Sequence, residues 1–161
     1  MTSTTALAGL AELYERHYEA VFRAALRVTG SPADAEDVLQ TVFLRVLAQG
    51  GDVEDVVLPA AYFRRAAVNA AVDVLRRREL RAESAYDDLA PHAVVHTPLL
   101  LKEQLRRAIA VLDGEDASLF LLRHVEGLSI EELAGMFAIE KNNVAVRLHR
   151  IRHRLQAEMQ R

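Results

Sequence analysis

Apolar side chains recur every three to four residues through most of this chain, which is the period of an amphipathic α-helix. The first such run extends from Leu7 to Thr29 and stops at Gly30. Ser31 and Pro32 then have the residue types of a helix N-cap and a first helical position. The pattern predicts helices over residues 7–29, 32–48, 59–81, 98–112, 115–126, 130–137 and 141–159. No segment alternates as a strand does, so we expect an all-α fold.

The helical period fails between Ala82 and Thr97, where two adjacent acids and a proline interrupt the apolar spacing. We interpret this segment as a linker between two small helical lobes. The predicted organisation is a first lobe over residues 1–81, a linker over 82–97, and a second lobe over 98–161 that contains a helix-turn-helix.

The helix-turn-helix is predicted from a short capped helix, a tight turn and a long helix. Ser129 and Glu132 form a capping-box pattern, and the turn position often taken by glycine is Ala138, which would be strained in a left-handed conformation. The long helix has an apolar stripe and, about 90° away, a polar one. These stripes are Val144, Leu148, Ile151 and Leu155, and Asn143, Arg147, Arg150 and Arg154. Arg and Asn can bond base edges, so the polar stripe predicts DNA contact; the alternative is a solvated basic face.

Charge is segregated along the chain. Its 161 residues carry 20 Lys and Arg against 23 Asp and Glu, a formal net charge of −3. Residues 141–161 nevertheless hold six basic residues and one acid, and residues 62–81 hold six arginines and two acids. This segregation predicts two basic surfaces on an otherwise acidic body, and it is compatible with nucleic-acid binding.

Several function classes lack their sequence signals. There is no cysteine, no Gly-rich phosphate loop and no nucleophile elbow, so we expect neither catalysis nor a cofactor. The pairs His149/His153 and His92/His96 lack suitably placed carboxylates, and a metal site is not expected on either. No apolar run approaches a membrane span and the N-terminus lacks a basic n-region, so we expect a cytoplasmic protein without membrane insertion.

Two helices of the first lobe carry features beyond a core stripe. Helix 32–48 has Phe43, Leu44 and Leu47 on its polar side, which indicates either a partner surface or, as the favoured alternative, burial beneath the N-terminal helix. Helix 59–81 aligns an aromatic, an amide and arginines on one face, a mixture that suits stacked bases and phosphates. The face comprises Tyr62, Arg65, Asn69, Asp73 and Arg76; a simple surface pair between Asp73 and a neighbouring arginine is the alternative for that acid.

Three segments occur in the order DAEDVLQTVFLRVL (34–47), YFRRAAVNAAVDVLRRR (62–78) and LRHVEGLSIEELAGMFAIEKNNVAVRLHRIRHRL (122–155). Together they resemble bacterial RNA polymerase sigma factors of the extracytoplasmic-function type. The resemblance implies a protein that binds core RNA polymerase, through the β′ clamp helices and the β subunit, and directs it to promoter DNA. It also implies control by an anti-sigma factor.

The resemblance assigns roles to particular residues. Those implied to dock on the polymerase are Asp34, Glu36, Asp37, Gln40, Phe43 and Leu44. Those implied to recognise and open the −10 element are Tyr62, Arg65, Asn69, Asp73, Arg76 and Arg77, with the loop 50–58 capturing a flipped base. Those implied to read the −35 element are Lys141, Asn142, Asn143, Arg147, Arg150 and Arg154.

The sequence departs from the family pattern at three places. Tyr62 stands where a Trp is common, Leu112-Asp113 stands where Leu-Pro is common, and residues 142–145 read Asn-Asn-Val-Ala where Gly-Thr-Val-Lys is common. Two other functions therefore remain as alternatives. One is a helix-turn-helix regulator that binds duplex DNA without the polymerase, and the other is a decoy that binds polymerase or a regulator without starting transcription.

Overall fold

The computed structural model describes residues 2–49, 59–85 and 98–161, and these residues form seven α-helices and no strand. The helices are α1 (Thr2–Thr29), α2 (Pro32–Ala48), α3 (Pro59–Ala85), α4 (Pro98–Ala110), α5 (Gly114–His124), α6 (Ile130–Phe137) and α7 (Lys141–Met159). The all-α prediction is confirmed. The main differences are that α1 begins at Thr2 rather than Leu7, and that α3 ends at Ala85 rather than Arg81.

Packing divides the chain into two compact units, Met1–Ala71 and Val72–Arg161. The division lies inside α3, whereas the sequence places a linker at 82–97. Residues 82–85 belong to α3, and residues 86–97 lie outside the described residues. The lobe boundaries derived from the sequence therefore stay a prediction. No helix among the described residues is both long and apolar enough to cross a membrane.

The core of the first unit is built on aromatic rings contributed by α1, α2 and α3. Phe63 is fully buried and stacks on His17 and Phe43, with ring centroids 4.4 and 5.2 Å apart. The entry to α2 follows the predicted cap, because the Ser31 side chain accepts a hydrogen bond from the Asp34 N–H at 3.3 Å. Burying one such apolar side chain contributes roughly 1.5–3 kcal/mol, so the packing of these rings fixes α2 and α3 against α1.

In the second unit, α5, α6 and α7 surround a core of mainly aliphatic side chains. The fully buried members on these helices include Leu119, Leu122, Leu133, Val144 and Ile151. The predicted capping contact is present, since the Ser129 hydroxyl accepts from the Glu132 N–H at 3.1 Å. Ala138 ends α6 in the left-handed conformation (φ 54°, ψ 44°), the one in which an alanine is expected to be strained. The predicted helix-turn-helix is therefore formed by α6, residues 138–140 and α7.

Candidate nucleic-acid and docking surfaces

The outward side of α2 exposes two large leucines. Leu44 is 62% exposed and Leu47 is 42% exposed, so the favoured prediction that the N-terminal helix covers them is wrong. It is right for Phe43, which is buried against Tyr14 with ring centroids 4.9 Å apart. The reason is geometric: α1 packs on Phe43 through Tyr14, and a groove between α1 and α2 leaves Leu44 and Leu47 exposed.

The residues implied to dock on the polymerase lie around these leucines. Glu36, Asp37 and Gln40 are exposed, and Asp34 is half-buried in the first turn of α2. We call Glu36, Asp37, Gln40, Leu44 and Leu47 the α2 face. A groove of about 390 Å³ crosses part of it, lined by Leu10, Tyr14, Glu36, Leu39, Gln40, Phe43, Leu44 and Leu47. An apolar floor with a polar rim suits a partner helix.

A second cavity, of about 370 Å³, lies between α2 and α3. We call it the α2–α3 pocket, and it is lined by Val42, Arg45, Gln49, Tyr62, Arg65, Ala66 and Asn69. Three residues predicted for the −10 element, Tyr62, Arg65 and Asn69, therefore meet at one site. The Tyr62 hydroxyl donates to Gln49 Oε1 at 3.4 Å, which joins α3 to the end of α2 at this pocket. An aromatic ring, two amides and two guanidinium groups can stack on a base, bond its edge and hold its phosphate.

The other three residues predicted for the −10 element follow on the same helix, beyond the division between the units. Asp73 and Arg77 are exposed. Arg76 is half-buried and donates a hydrogen bond to the carbonyl oxygen of Leu112. The loop 50–58, implied to capture a base, lies outside the described residues.

The polar side of α7 differs from the predicted stripe. The apolar stripe is confirmed, because Val144, Leu148, Ile151 and Leu155 are all buried. Lys141, Asn142, Asn143, Arg150 and Arg154 are exposed, and Lys141 lies 3.7 Å from a carboxylate oxygen of Glu131. The prediction that Arg147 lies on the exposed face is wrong. Its side chain is only 28% exposed, because it turns towards α5. The exposed basic face of α7 is therefore narrower than the sequence predicts.

Two acids in the first turn of α5 hold Arg147. Its Nη2 is 2.7 Å from Asp116 Oδ1, and its Nη1 is 3.4 Å from Glu115 Oε1. The hydrogen bond to Asp116, together with the charges of both acids, raises the pKa of Arg147 despite its partial burial. The second oxygen of Asp116 lies 3.7 Å from Arg154 Nη1. We call Asp116, Glu115, Arg147 and Arg154 the arginine clamp.

The paired histidines of α7 face solvent. His149 and His153 approach each other with their Nε2 atoms 3.1 Å apart, and both are exposed. Among the residues described, no group of three or more His, Cys, Asp or Glu is arranged to hold a metal ion.

Sequence reasoning missed Arg45, Gln49 and Asp116. Arg45 and Gln49 are four residues apart on α2 and line the α2–α3 pocket, a helical spacing that could have indicated a shared face. Asp116 carries no local signal, because its role depends on a partner 31 residues away. The departure at Asp113 also has a local account: its carboxylate caps α5 by accepting from the Glu115 N–H at 3.1 Å.

Comparison with known families finds two matches in the order of the chain. The family model of Sigma-70 region 2 matches residues 13–81, and that of Sigma-70 region 4 matches residues 102–155. The first match contains the α2 face and the α2–α3 pocket. The second contains the arginine clamp and the helix-turn-helix.

Curated relatives extend the match along the chain. The RNA polymerase sigma-E factor of Streptomyces coelicolor is 32% identical over 155 residues, which cover 92% of this chain and 84% of the relative. The ECF RNA polymerase sigma factor SigL of Mycobacterium tuberculosis is 30% identical over 143 residues, covering 85% of this chain and 81% of the relative.

A solved structure shows the same fold. The sigma factor RpoE of Bartonella quintana, crystallised with the anti-sigma factor NepR, matches 93% of this chain and 96% of its own with a TM-score of 0.52. The identity of 17% makes this a likeness of fold alone. The family models and the curated relatives carry the assignment further: this chain belongs to the RNA polymerase sigma factors of the extracytoplasmic-function type, which direct transcription initiation.

Proposed function

We propose that this sigma factor docks on core RNA polymerase through the α2 face, opens the −10 element with the α2–α3 pocket, and reads the −35 element with α7. The observation that carries the proposal is the α2 face itself. Its exposed leucines lie beside the exposed acids Glu36 and Asp37 on a helix that also borders a base-sized pocket. A regulator that binds duplex DNA alone needs no such surface.

The docking partner is the clamp helices of the β′ subunit. The exposed side chain of Leu44 offers an apolar anchor, and Asp37 and Gln40 surround it with polar groups. This arrangement of a central anchor and a polar rim is usual in protein interfaces. Phe43 is buried and supports the face from beneath, at the floor of the groove. The β subunit is proposed as a further contact of residues 98–161.

The α2–α3 pocket is proposed to hold an unstacked base of the −10 element. Tyr62 supplies a ring for stacking, and Gln49 and Asn69 supply amides for the base edge. Arg45 and Arg65 bring positive charge for the backbone phosphate. Holding a flipped base offsets part of the free energy of unpairing, so the pocket would stabilise the open promoter.

The N-terminal part of α7 is proposed to enter the major groove at the −35 element. Asn142 and Asn143 lie there, exposed, and Arg150 follows two turns later. An amide can bond adenine bidentately and a guanidinium can bond guanine. The loss of the common Lys at Ala145 leaves Lys141 and Arg150 as the exposed cations of this face that are proposed to contact DNA.

Regulation and location follow from this role. We propose that an anti-sigma factor holds the protein inactive, by analogy with the complex in which the Bartonella relative was crystallised. Because this protein would act by binding RNA polymerase, we propose that it is cytoplasmic and that its role is binding rather than catalysis.

The docking step is tested by Leu44→Arg. The substitution places a charge at the centre of the α2 face, so we expect co-elution with core polymerase in size-exclusion chromatography to fall at least about tenfold, the loss typical of a central anchor. Leu80→Arg is the matched control, because Leu80 is also exposed, at 67%, and lies outside the proposed surfaces. Retained binding by Leu44→Arg, or equal loss by both variants, would reject the α2 face as the docking surface.

A further inference from the structure

Asp116 is the most enclosed acid of the arginine clamp, with a side chain only 18% exposed. It lies in the first turn of α5, ahead of the helix-turn-helix itself. Both of its carboxylate oxygens face α7: Oδ1 meets Arg147 at 2.7 Å and Oδ2 meets Arg154 at 3.7 Å. A charge-assisted hydrogen bond of this length is among the stronger polar contacts in a protein.

The two arginines lie two helical turns apart on α7. One carboxylate therefore touches α7 at two points along its length, on the flank between the buried stripe and the exposed face. Apolar side chains alone leave a helix some freedom to roll, since hydrophobic contact is not directional. The hydrogen bonds of Arg147 are directional, and the ion pair of Arg154 adds a second point of contact, so the clamp restricts both the roll and the axial shift of α7.

The clamp also changes which cations are available. Arg147 has its guanidinium shared between Asp116 and Glu115 and its side chain is only 28% exposed, so little of its charge and few of its N–H groups are left for a DNA phosphate. Arg150, by contrast, is exposed and makes no ion pair with any residue that the structure describes. The sequence predicts DNA contact by both Arg147 and Arg150. Their surroundings differ, because acids of α5 hold Arg147 and leave Arg150 exposed.

We propose that Asp116 is a positioning residue for promoter recognition. By holding Arg147 and Arg154 it sets the roll of α7, so that Asn142, Asn143 and Arg150 face the −35 element. Arg147 then acts through orientation and not as a phosphate contact. This inference rests on the proposed role of α7 in reading DNA.

The test compares two probes and their salt dependence. The holoenzyme, assembled from core polymerase and full-length protein, is bound to a duplex carrying a promoter mapped by transcript 5′ ends, and to the same duplex with its upstream element scrambled. We expect Asp116→Asn to lower the ratio of the affinity for the intact duplex to that for the scrambled duplex at least about fivefold. Because this substitution frees Arg147 and Arg154, its salt slope should not fall. Arg150→Gln should reduce the slope by about 0.9, the value for one lost phosphate contact.

Arg147→Gln completes the design. It should lower the affinity ratio as much as Asp116→Asn does and leave the salt slope unchanged. The double variant should have a ratio no worse than that of either single one, because both remove the same contact. Asp116→Glu, which keeps the charge, should restore part of the ratio. A loss of folding would instead lower both affinities together, and thermal unfolding of each variant identifies it.

Two results would overturn the inference. One is an unchanged ratio in Asp116→Asn; the other is a reduced salt slope in Arg147→Gln, which would make Arg147 a phosphate contact. Failure of the proposed function looks different, since the wild-type holoenzyme would then show no preference for the intact upstream element.

Discussion

Ala138 occupies the position where the turn between α6 and α7 needs a left-handed residue. Its φ of 54° is the sole positive value of a non-glycine residue in the described part of the chain. The conformation is held by its neighbours, since the N–H groups of Ala138 and Ile139 both bond to the Ala134 carbonyl. A side chain with a Cβ is strained there by roughly 1–2 kcal/mol. The chain therefore retains a turn that glycine would form more easily.

Ala138→Gly should raise the free energy of unfolding by about 1 kcal/mol, because glycine removes the Cβ strain at some cost in backbone entropy. Urea denaturation followed by circular dichroism measures it. Gly127→Ala is the matched control, since Gly127 has a φ of 73° and open space around its Cα. It should lower the stability by a similar amount. Destabilisation by Ala138→Gly would show that the strain is absent.

We expect His17 to make the stability of the first unit sensitive to acid. Its side chain is 8% exposed, and its Nε2 has no hydrogen-bond partner among the described residues. Burial, and secondarily the charge of Arg16, lowers the pKa of His17 from its ordinary value. The unfolded chain regains a pKa of about 6.5. The unfolded state therefore binds more protons in acid, so this contribution to stability is complete above about pH 6.5 and falls as the pH drops below it.

His17→Phe should remove that part of the pH dependence, because phenylalanine keeps a ring against Phe63 and does not titrate. The measurement is the free energy of unfolding at about pH 7.5 and about pH 5.5. We expect a smaller difference between the two values in the variant than in the wild type. An identical difference would mean that His17 does not titrate with folding.

The helices themselves were largely predictable from the sequence. Their apolar period and their caps are local, so the bounds of α2, α6 and α7 agree with the predicted ones. Contacts between helices were not predictable in the same way. The pairing of Arg147 with Asp116, or of Gln49 with Tyr62, depends on packing that brings separate helices together. The stripe on α7 was accordingly right in its apolar members and wrong in the exposure of Arg147.

The joint use of α2 and α3 in one pocket gives a prediction for promoter opening. Asn69→Ala removes one amide from the α2–α3 pocket, so it should weaken the open complex by about 1 kcal/mol, or roughly fivefold, the worth of one hydrogen bond. Permanganate reactivity of unpaired thymines measures opening, and co-elution measures polymerase binding, which should be unchanged. Glu83→Ala, an exposed position further along α3, is the control. Equal loss of opening and binding in Asn69→Ala would indicate misfolding.

Across the whole molecule, the distribution of charge and the family matches point to the same two segments. The chain is acidic overall, at −3, yet basic residues concentrate in α3 and α7. The arginine clamp explains part of this balance, because acids of α5 neutralise some of the arginines of α7 and leave others exposed. The Sigma-70 region 2 and region 4 matches fall on the two basic segments in chain order. Promoter contact is thus proposed for limited surfaces of an acidic protein.

The most direct test of this account is reconstituted transcription. The protein would be mixed with bacterial core RNA polymerase and genomic fragments that include its own upstream region, and the 5′ ends of the transcripts would be sequenced. We predict defined start sites that share two upstream motifs, and that Leu44→Arg abolishes them. Polymerase binding without any initiation would favour the decoy, and absence of both binding and initiation would contradict a sigma factor altogether.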